Sequence, residues 1–419
     1  MDARDKYLIF DTINVQPAGL EHKLSTLRCA ISEAIYLNRI LVLRKFAISS
    51  IHNYAYDEKF KADLIKNDKV ENENMHYLPE YALKKINFKS YLNLAKTRVY
   101  KLEDDGGIVE ITELFRYIDE KDFDLKAYTN QPELVIKSDR LVTDLPPNTF
   151  TEINNQVLIA ETNRPISKEQ NNQYQVIVRR TNAYKYAYTP AARDLLTVLL
   201  YPSSEVEQLV DIVLKSIGTS LQRVKNRYAF YYQAATTEIL NNYRIRFSQQ
   251  HPIYYACLHM RKNDMYYKPT IKYAASKSNI KRMVEQALPK KSIIYVMSDT
   301  ADLNYFDFLR KDYTVYQYFN FPELKALVSC KNREQVDNAM LYAVEKNILK
   351  YAHIQIIYRR GRPDILYTNQ SYSIPWRHRL MAIYDYVLSD ILTTNFLYGK
   401  KRDGNMQYIK RILEDKVIH

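Results

Sequence analysis

Glycine is scarce in this chain: seven residues in 419, at Gly19, Gly106, Gly107, Gly218, Gly361, Gly399 and Gly404, against an average usage of about 7%. Neither a G-x-G-x-x-G nor a G-x-x-x-x-G-K-[ST] loop can be assembled from them, which argues against a dinucleotide dehydrogenase, a P-loop NTPase or a protein kinase. A nucleotide bound here must be held mainly by side chains and helix ends. Cysteine is scarcer still. Cys29, Cys257 and Cys330 stand far apart in apolar surroundings without C-x-x-C spacing, the pattern of reduced core thiols. No His/Cys/carboxylate set has zinc spacing and no G-x-S-x-G elbow exists, so no metal site or hydrolase nucleophile is expected. Internal repeats and low-complexity tracts are also missing. No apolar run approaches the ~20 residues a membrane helix requires. The opening MDARDKYLIF has no basic n-region and passes straight into an apolar strand, so the expectation is a soluble, cytoplasmic protein without signal peptide or anchor.

What is present is a globular composition, with 46% apolar residues, a net charge of +13 and a pI near 9.2. That balance suits anionic partners: nucleotide, nucleic acid, membrane surface or phosphosugar. Tyrosine is abundant, at 38 residues, and a basic, aromatic groove could bind nucleic acid. Against that alternative, Lys, Arg, Asp and Glu intermingle along the whole chain, and no RNP, KH, zinc-finger or basic-zipper signature occurs.

The chain opens as a β-α-β unit. A strand is expected from Tyr7 to Asn14, then a turn at Pro17-Ala18-Gly19. Leu24, Leu27, Ile31, Ala34 and Ile35 mark a helix, and Ile40 to Leu43 the next strand. The charged run Tyr56 to Met75 and the polar run Glu161 to Tyr174 read as surface loops. Arg98 to Phe115 and Thr149 to Val178 are rich in strand formers. From Pro202 onward, helices are expected over Val206 to Ile217, Arg223 to Phe247, Lys277 to Ala287, Leu303 to Leu309 and Gln335 to Lys350. Strands are expected at Ile253 to Leu258, Ile293 to Met297 and Ile354 to Tyr358. Such alternation predicts an α/β protein of two Rossmann-like domains around a cleft. The domains are taken as residues 1–235, carrying the acceptor side, and 236–419, carrying the donor side. The tail from Pro375 is a candidate to pack back on the first.

Chemistry-bearing residues gather at predicted strand exits, where open α/β sheets bind ligands. The run IYYACLHMRKND delivers His259, Arg261 and Asp264 in succession, and an Arg there offers a rigid five-donor fork to a diphosphate. Alternatively Arg261 is a surface residue paired with Asp264, and His259 a core histidine. Asp299, after the strand IYVMS, could meet the base or ribose of a nucleotide or cap the following helix. Arg359 and Arg360 could grip a second phosphate or form a solvated basic patch. Glu21 and His22 follow the first turn; a carboxylate there suits a general base, and equally the first turn of a helix. Asp122-Phe123-Asp124 has the D-x-D spacing of metal-dependent glycosyltransferases, within the charged stretch DEKDFDLK.

One ordered set stands out: a strand-turn-helix ending in LNR-x-LVL, a mid-chain strand ending in H-x-R-x-x-D, an IYVMSD strand exit, and a VDNAMLYAVEK helix leading to another strand. It resembles the fucosyltransferase superfamily with a GT-B fold, especially the protein O-fucosyltransferases and their bacterial and viral relatives. The similarity covers Lys6 to Arg44 and Tyr254 to Tyr358. It implies inverting, metal-independent transfer of fucose from GDP-fucose to a protein or glycan acceptor, with no cofactor besides the donor. In that resemblance Arg261 neutralises the departing β-phosphate and His259 lines the donor pocket. The turn after the first strand reads PAGLEHKL, with His22 and Lys23 where the family has Asn and Gln; Gly19 and His22 are carried over as its donor contacts. The competing expectations are a metal-dependent glycosyltransferase using another nucleotide sugar, and a nucleic-acid-binding protein.

Overall fold

The computed structural model describes residues 5–10, 20–49, 83–102, 108–135, 149–161, 164–180, 197–225, 255–260, 276–298, 300, 302–328, 337–359 and 362–367. Their contacts divide them into two compact units that adjoin in sequence between Tyr201 and Pro202. The domain boundary expected after residue 235 and the tail from Pro375 lie outside the described residues.

The first unit contains β1 (Tyr7–Phe10), α1 (Leu20–Tyr36), β2 (Ile40–Leu43), β3 (Phe46–Ser49), β4 (Leu83–Ile86), β5 (Arg98–Leu102), β6 (Ile108–Glu110) and β7 (Tyr117–Asp119). It continues with α2 (Pro132–Val135), β8 (Thr149–Asn154), β9 (Val157–Glu161), α3 (Lys168–Gln173), β10 (Val176–Arg179) and β11 (Thr197–Leu199). Its main sheet has the order β7-β2-β1-β10-β9-β8 and is parallel except at the β8 edge. β1, β2 and β10 read YLIF, ILVL and VIVR and are buried along their whole length, the unbroken pattern of strands covered on both faces. The strand-former-rich stretches supply smaller sheets, β11-β5-β6 and β3-β4.

The polar run Glu161 to Tyr174, expected to be loop, contains α3. Ser167 accepts from the Gln170 N–H while the Gln170 side chain returns to the Ser167 N–H, so a capping box overrides the run's polarity. Behind it sits Arg39 of the LNR motif, 1% exposed. Its guanidinium donates to the carbonyls of Tyr7, Gln175, Asn171 and Tyr174 at 2.7–3.0 Å and to Asn171 Oδ1 at 2.7 Å. Burial lowers its pKa to about 9. Arg39 thus ties the entries of β1, β2 and β10 together, and a guanidinium is the side chain with enough donors to do so.

The second unit holds α4 (Ser204–Ser216), β12 (Ala256–Met260), α5 (Lys277–Ala287), β13 (Ile293–Ser298), β14 (Thr314–Tyr316), α6 (Pro322–Ala326), α7 (Asn338–Tyr351), β15 (Ile354–Arg359) and β16 (Arg362–Tyr367). Its sheet order is β14-β13-β12-β15-β16, parallel except for the β15-β16 pair. One face carries the apolar core: Ala256, Leu258, Met260, Ile294, Val296, Ile354 and Ile356 pack with Ile280, Met283 and Val284 of α5. By strand alternation Tyr255, Cys257, Tyr295 and Gln355 occupy the other face, under α7. α4 begins on a Ser203 cap and turns its buried stripe of Val206, Val210, Val213 and Leu214 inward. It ends in a Schellman turn: Thr219 N–H reaches Leu214 O, Gly218 N–H reaches Lys215 O, and Gly218 takes φ +87°.

The helix expected over Leu303 to Leu309 does not form; only Asp307–Leu309 takes a short 3-10 turn. Thr300 Oγ1 and Asp302 Oδ1 accept from the backbone N–H groups of Asp302 and Asn304, and such local side-chain bonds compete with helix initiation. Most of the helix expected from Arg223 to Phe247 lies outside the described residues.

Candidate active site

Both main sheets reverse their winding at one point. In the second unit, β12 leads to β13 and β14 on one side, and the chain then returns to place β15 on the other. The crevice beyond the carboxyl ends of β12 and β15 is the position where open α/β sheets take their ligands. The residues that border it are those the sequence singles out. His259, half-buried, lies between Met297 of β13 and Ile357 of β15 in register, and Met260 pairs with Ser298. The strand therefore runs two residues beyond its expected end at Leu258, because those pairings continue the ladder. Arg359 is the last residue of β15. α7 runs antiparallel to the strand it precedes, so its amino end comes to this same edge. Asp337 caps it, accepting from the Met340 N–H at 2.8 Å.

A helix amino end and His259 lie at this sheet edge, where β15 ends at Arg359; groups of these kinds can bind a diphosphate without a glycine loop. Arg261, Asp264, Asp299 and Arg360 lie outside the described residues, as does the side chain of Arg359. In sequence, Arg261 follows the last residue of β12, Asp299 the last of β13 and Arg360 the last of β15.

The first unit has its own reversal between β1 and β10. Gly19 lies outside the described residues; Glu21 and His22 fall in the first turn of α1, with side chains outside the description. The neighbouring Lys23, which stands where the family resemblance expects Gln, is 3% exposed. α1 is buried on almost every side and takes Thr26, Arg28, Ser32 and Glu33 inside with it. Arg179, unmarked by any motif in the sequence, ends β10 opposite Phe10. Its Nη2 meets Glu33 Oε1 at 2.5 Å and its Nε meets Glu33 Oε2 at 3.1 Å, with side chains 0% and 4% exposed. Arg44 pairs with Glu120 at 2.7 Å and Arg180 with Glu161 at 3.0 Å. The signal was the VIVR run after a polar stretch, masked by reading Glu161 to Tyr174 as loop.

The D-x-D triplet has a local structural use. Asp122 ends one 3-10 turn, and Asp124 caps the next by accepting from the Lys126 N–H at 3.0 Å. Cys29 and Cys257 are buried free thiols; burial raises the pKa of Cys29 to about 12 and that of Cys257 well above its ordinary value. Cys330 lies outside the described residues. Among the described residues no helix is long and apolar enough to cross a membrane.

No family profile matches the chain, and no curated protein sequence matches it. Among solved structures, it is similar to POFUT1 in complex with GDP-fucose, at a TM-score of 0.36 and 9% identity over 92% of this chain and 96% of that one. Another crystal form of the same complex gives 0.35 and 10% identity, over 91% and 95% of the two chains. The fucosyltransferase NodZ from Bradyrhizobium gives 0.31 and 11%, over 87% of this chain and 100% of that one.

Proposed function

We propose that the chain is a glycosyltransferase that binds a GDP-sugar at the carboxyl edge of the second sheet and transfers the sugar, fucose on the motif resemblance, to an acceptor hydroxyl. One observation carries this reading. The H-x-R-x-x-D run and the Arg359-Arg360 pair leave adjacent parallel strands at the reversal point of the sheet, β12 and β15.

The reaction divides into roles that these residues can fill. The bond between the anomeric carbon and the β-phosphate oxygen breaks while the acceptor oxygen attacks from the opposite face, giving inversion. The departing GDP gains charge, which Arg261 neutralises with a bidentate fork; His259 lines the donor pocket, with Asp264, Asp299, Arg359 and Arg360 around it. The acceptor proton passes to a base, for which Glu21 is the candidate, with Gly19 and His22 contributing donor contacts from the same turn. The cationic residues take the place of a divalent metal, and no cofactor besides the donor is needed. The acceptor is a protein or glycan hydroxyl.

Calorimetric titration of the full chain with GDP-fucose, GDP-mannose and UDP-sugars tests this, with and without chelator. GDP-fucose is expected to bind equally well in both conditions. A preference for UDP-sugars, or binding abolished by chelator, replaces the reading with a metal-dependent transferase. Affinity for oligonucleotides that disappears by about 0.2 M salt, with no sugar-nucleotide binding, replaces it with nucleic-acid binding.

A further inference from the structure

The polar face of the second sheet contains a carboxyl group that, among the described residues, has no cation paired with it. Glu345 lies mid-way along α7 and is 3% exposed. The Tyr295 hydroxyl of β13 donates to its Oε1 at 3.0 Å. Among the described residues, the other titratable groups coupled to it are Cys257 of β12 and Tyr318 beyond β14, both buried. Burial drives the thiol pKa up and the Tyr318 pKa to about 12, so each is neutral at neutral pH. From β15 the neighbouring buried polar group is the uncharged Gln355.

Lys346 lies over the Tyr342 ring at 6.0 Å, Lys215 pairs with Asp211 at 2.7 Å, and Lys225 pairs with Glu207. Among the described residues no Lys or Arg forms an ion pair with Glu345. An ionised carboxylate in such a place costs far more than a protonated one, which can both accept from Tyr295 and donate a bond of its own.

We propose that Glu345 is a positioning residue that carries a proton in the native state and, as a neutral acid bonded to Tyr295, fixes α7 on the sheet. Because the amino end of α7 lies at the carboxyl edge, loss of that proton loosens the edge proposed to receive the donor diphosphate. This last link rests on the proposed function; the protonation itself does not. Desolvation raises the Glu345 pKa from an ordinary 4.5 to about 8, with the Tyr295 bond pulling it down in part.

The sign follows from proton counting. Between about pH 4.5 and pH 8 the native state holds a proton that the unfolded chain has released, so stability falls as pH rises through that window and levels off above it. The glutamine in Glu345→Gln has no such proton and accepts the same Tyr295 bond.

The test is the thermal midpoint of the full chain from pH 5 to pH 9.5 in the parent, Glu345→Gln and Tyr295→Phe, together with GDP-fucose titrations at pH 7 and pH 9. The Glu345→Gln midpoint is expected to rise above the parent by a margin that widens from pH 5 to pH 8 and then stays constant. In Tyr295→Phe, which keeps the acid but loses the bond that lowers its pKa, the parent's levelling point should move to higher pH. Parallel curves for parent and Glu345→Gln, or an unmoved levelling point in Tyr295→Phe if Glu345→Gln fails to fold, overturn the proposal. Donor affinity should weaken from pH 7 to pH 9 in the parent and hold in Glu345→Gln; an equal loss in both overturns the coupling to the donor edge. If no GDP-sugar binds at any pH while the midpoints behave as stated, the donor reading fails and the protonated Glu345 stands.

Discussion

The two main sheets share a plan and differ in how they bury polarity. Each is parallel with one antiparallel edge strand and one reversal point. In the first, three arginines are buried in ion pairs or carbonyl cages: Arg179 with Glu33, Arg44 with Glu120, Arg39 among backbone carbonyls. On the α7 face of the second, the buried polar groups are hydroxyl, thiol, amide and carboxyl: Tyr255, Cys257, Tyr295, Gln355 and Glu345, with no ion pair among them. An arginine at a sheet exit therefore means different things in the two units. In the first it holds α1 and β10 together, whereas in the second Arg261, Arg359 and Arg360 follow or end strands whose described neighbours include no buried Arg–carboxylate pair.

Breaking the first unit's pairs should have the largest effect on stability. Arg179→Met leaves Glu33 as a buried, uncompensated charge and is expected to cost about 3–5 kcal/mol, measured by denaturant unfolding. Replacing both partners, with Glu33→Leu added, should recover most of that loss; a double replacement as damaging as the single one would show that the pair is not self-contained. The second unit should respond less. Tyr255→Phe removes the neutral bond from the buried hydroxyl to Ile348 O at 2.7 Å and is expected to cost about 1 kcal/mol. A loss equal to that of Arg179→Met would erase the distinction between the sheets.

The sequence revealed the second unit more fully than the first, and particular elements show why. β12, β13, β15, α5 and α7 are apolar runs or amphipathic stripes separated by turn residues, so periodicity located them within one to three residues. The first sheet depends on β10, a four-residue strand beside β1 that arrives from a polar stretch folded by a capping box. Nothing in a four-residue run announces that it will be central, so the reversal between β1 and β10, and Arg179 with it, stayed hidden. Glu345 was hidden differently. It sits inside a helix whose Val336, Met340, Val344 and Ile348 stripe was legible. However, a glutamate one position from that stripe reads as solvated until the helix is found covered on both sides, by the sheet and by α4.

The central claim is that the cation following β12 acts on a leaving diphosphate rather than on the fold. Its most direct test is Arg261→Lys, assayed for GDP-fucose turnover and for thermal midpoint in the same preparation. A lysine keeps the charge but cannot reproduce the bidentate fork. Turnover is expected to fall by about 10²- to 10³-fold with the midpoint unchanged. An Arg261→Lys protein that melts several degrees earlier yet turns over normally when folded would contradict the account, leaving Arg261 as a structural partner of Asp264.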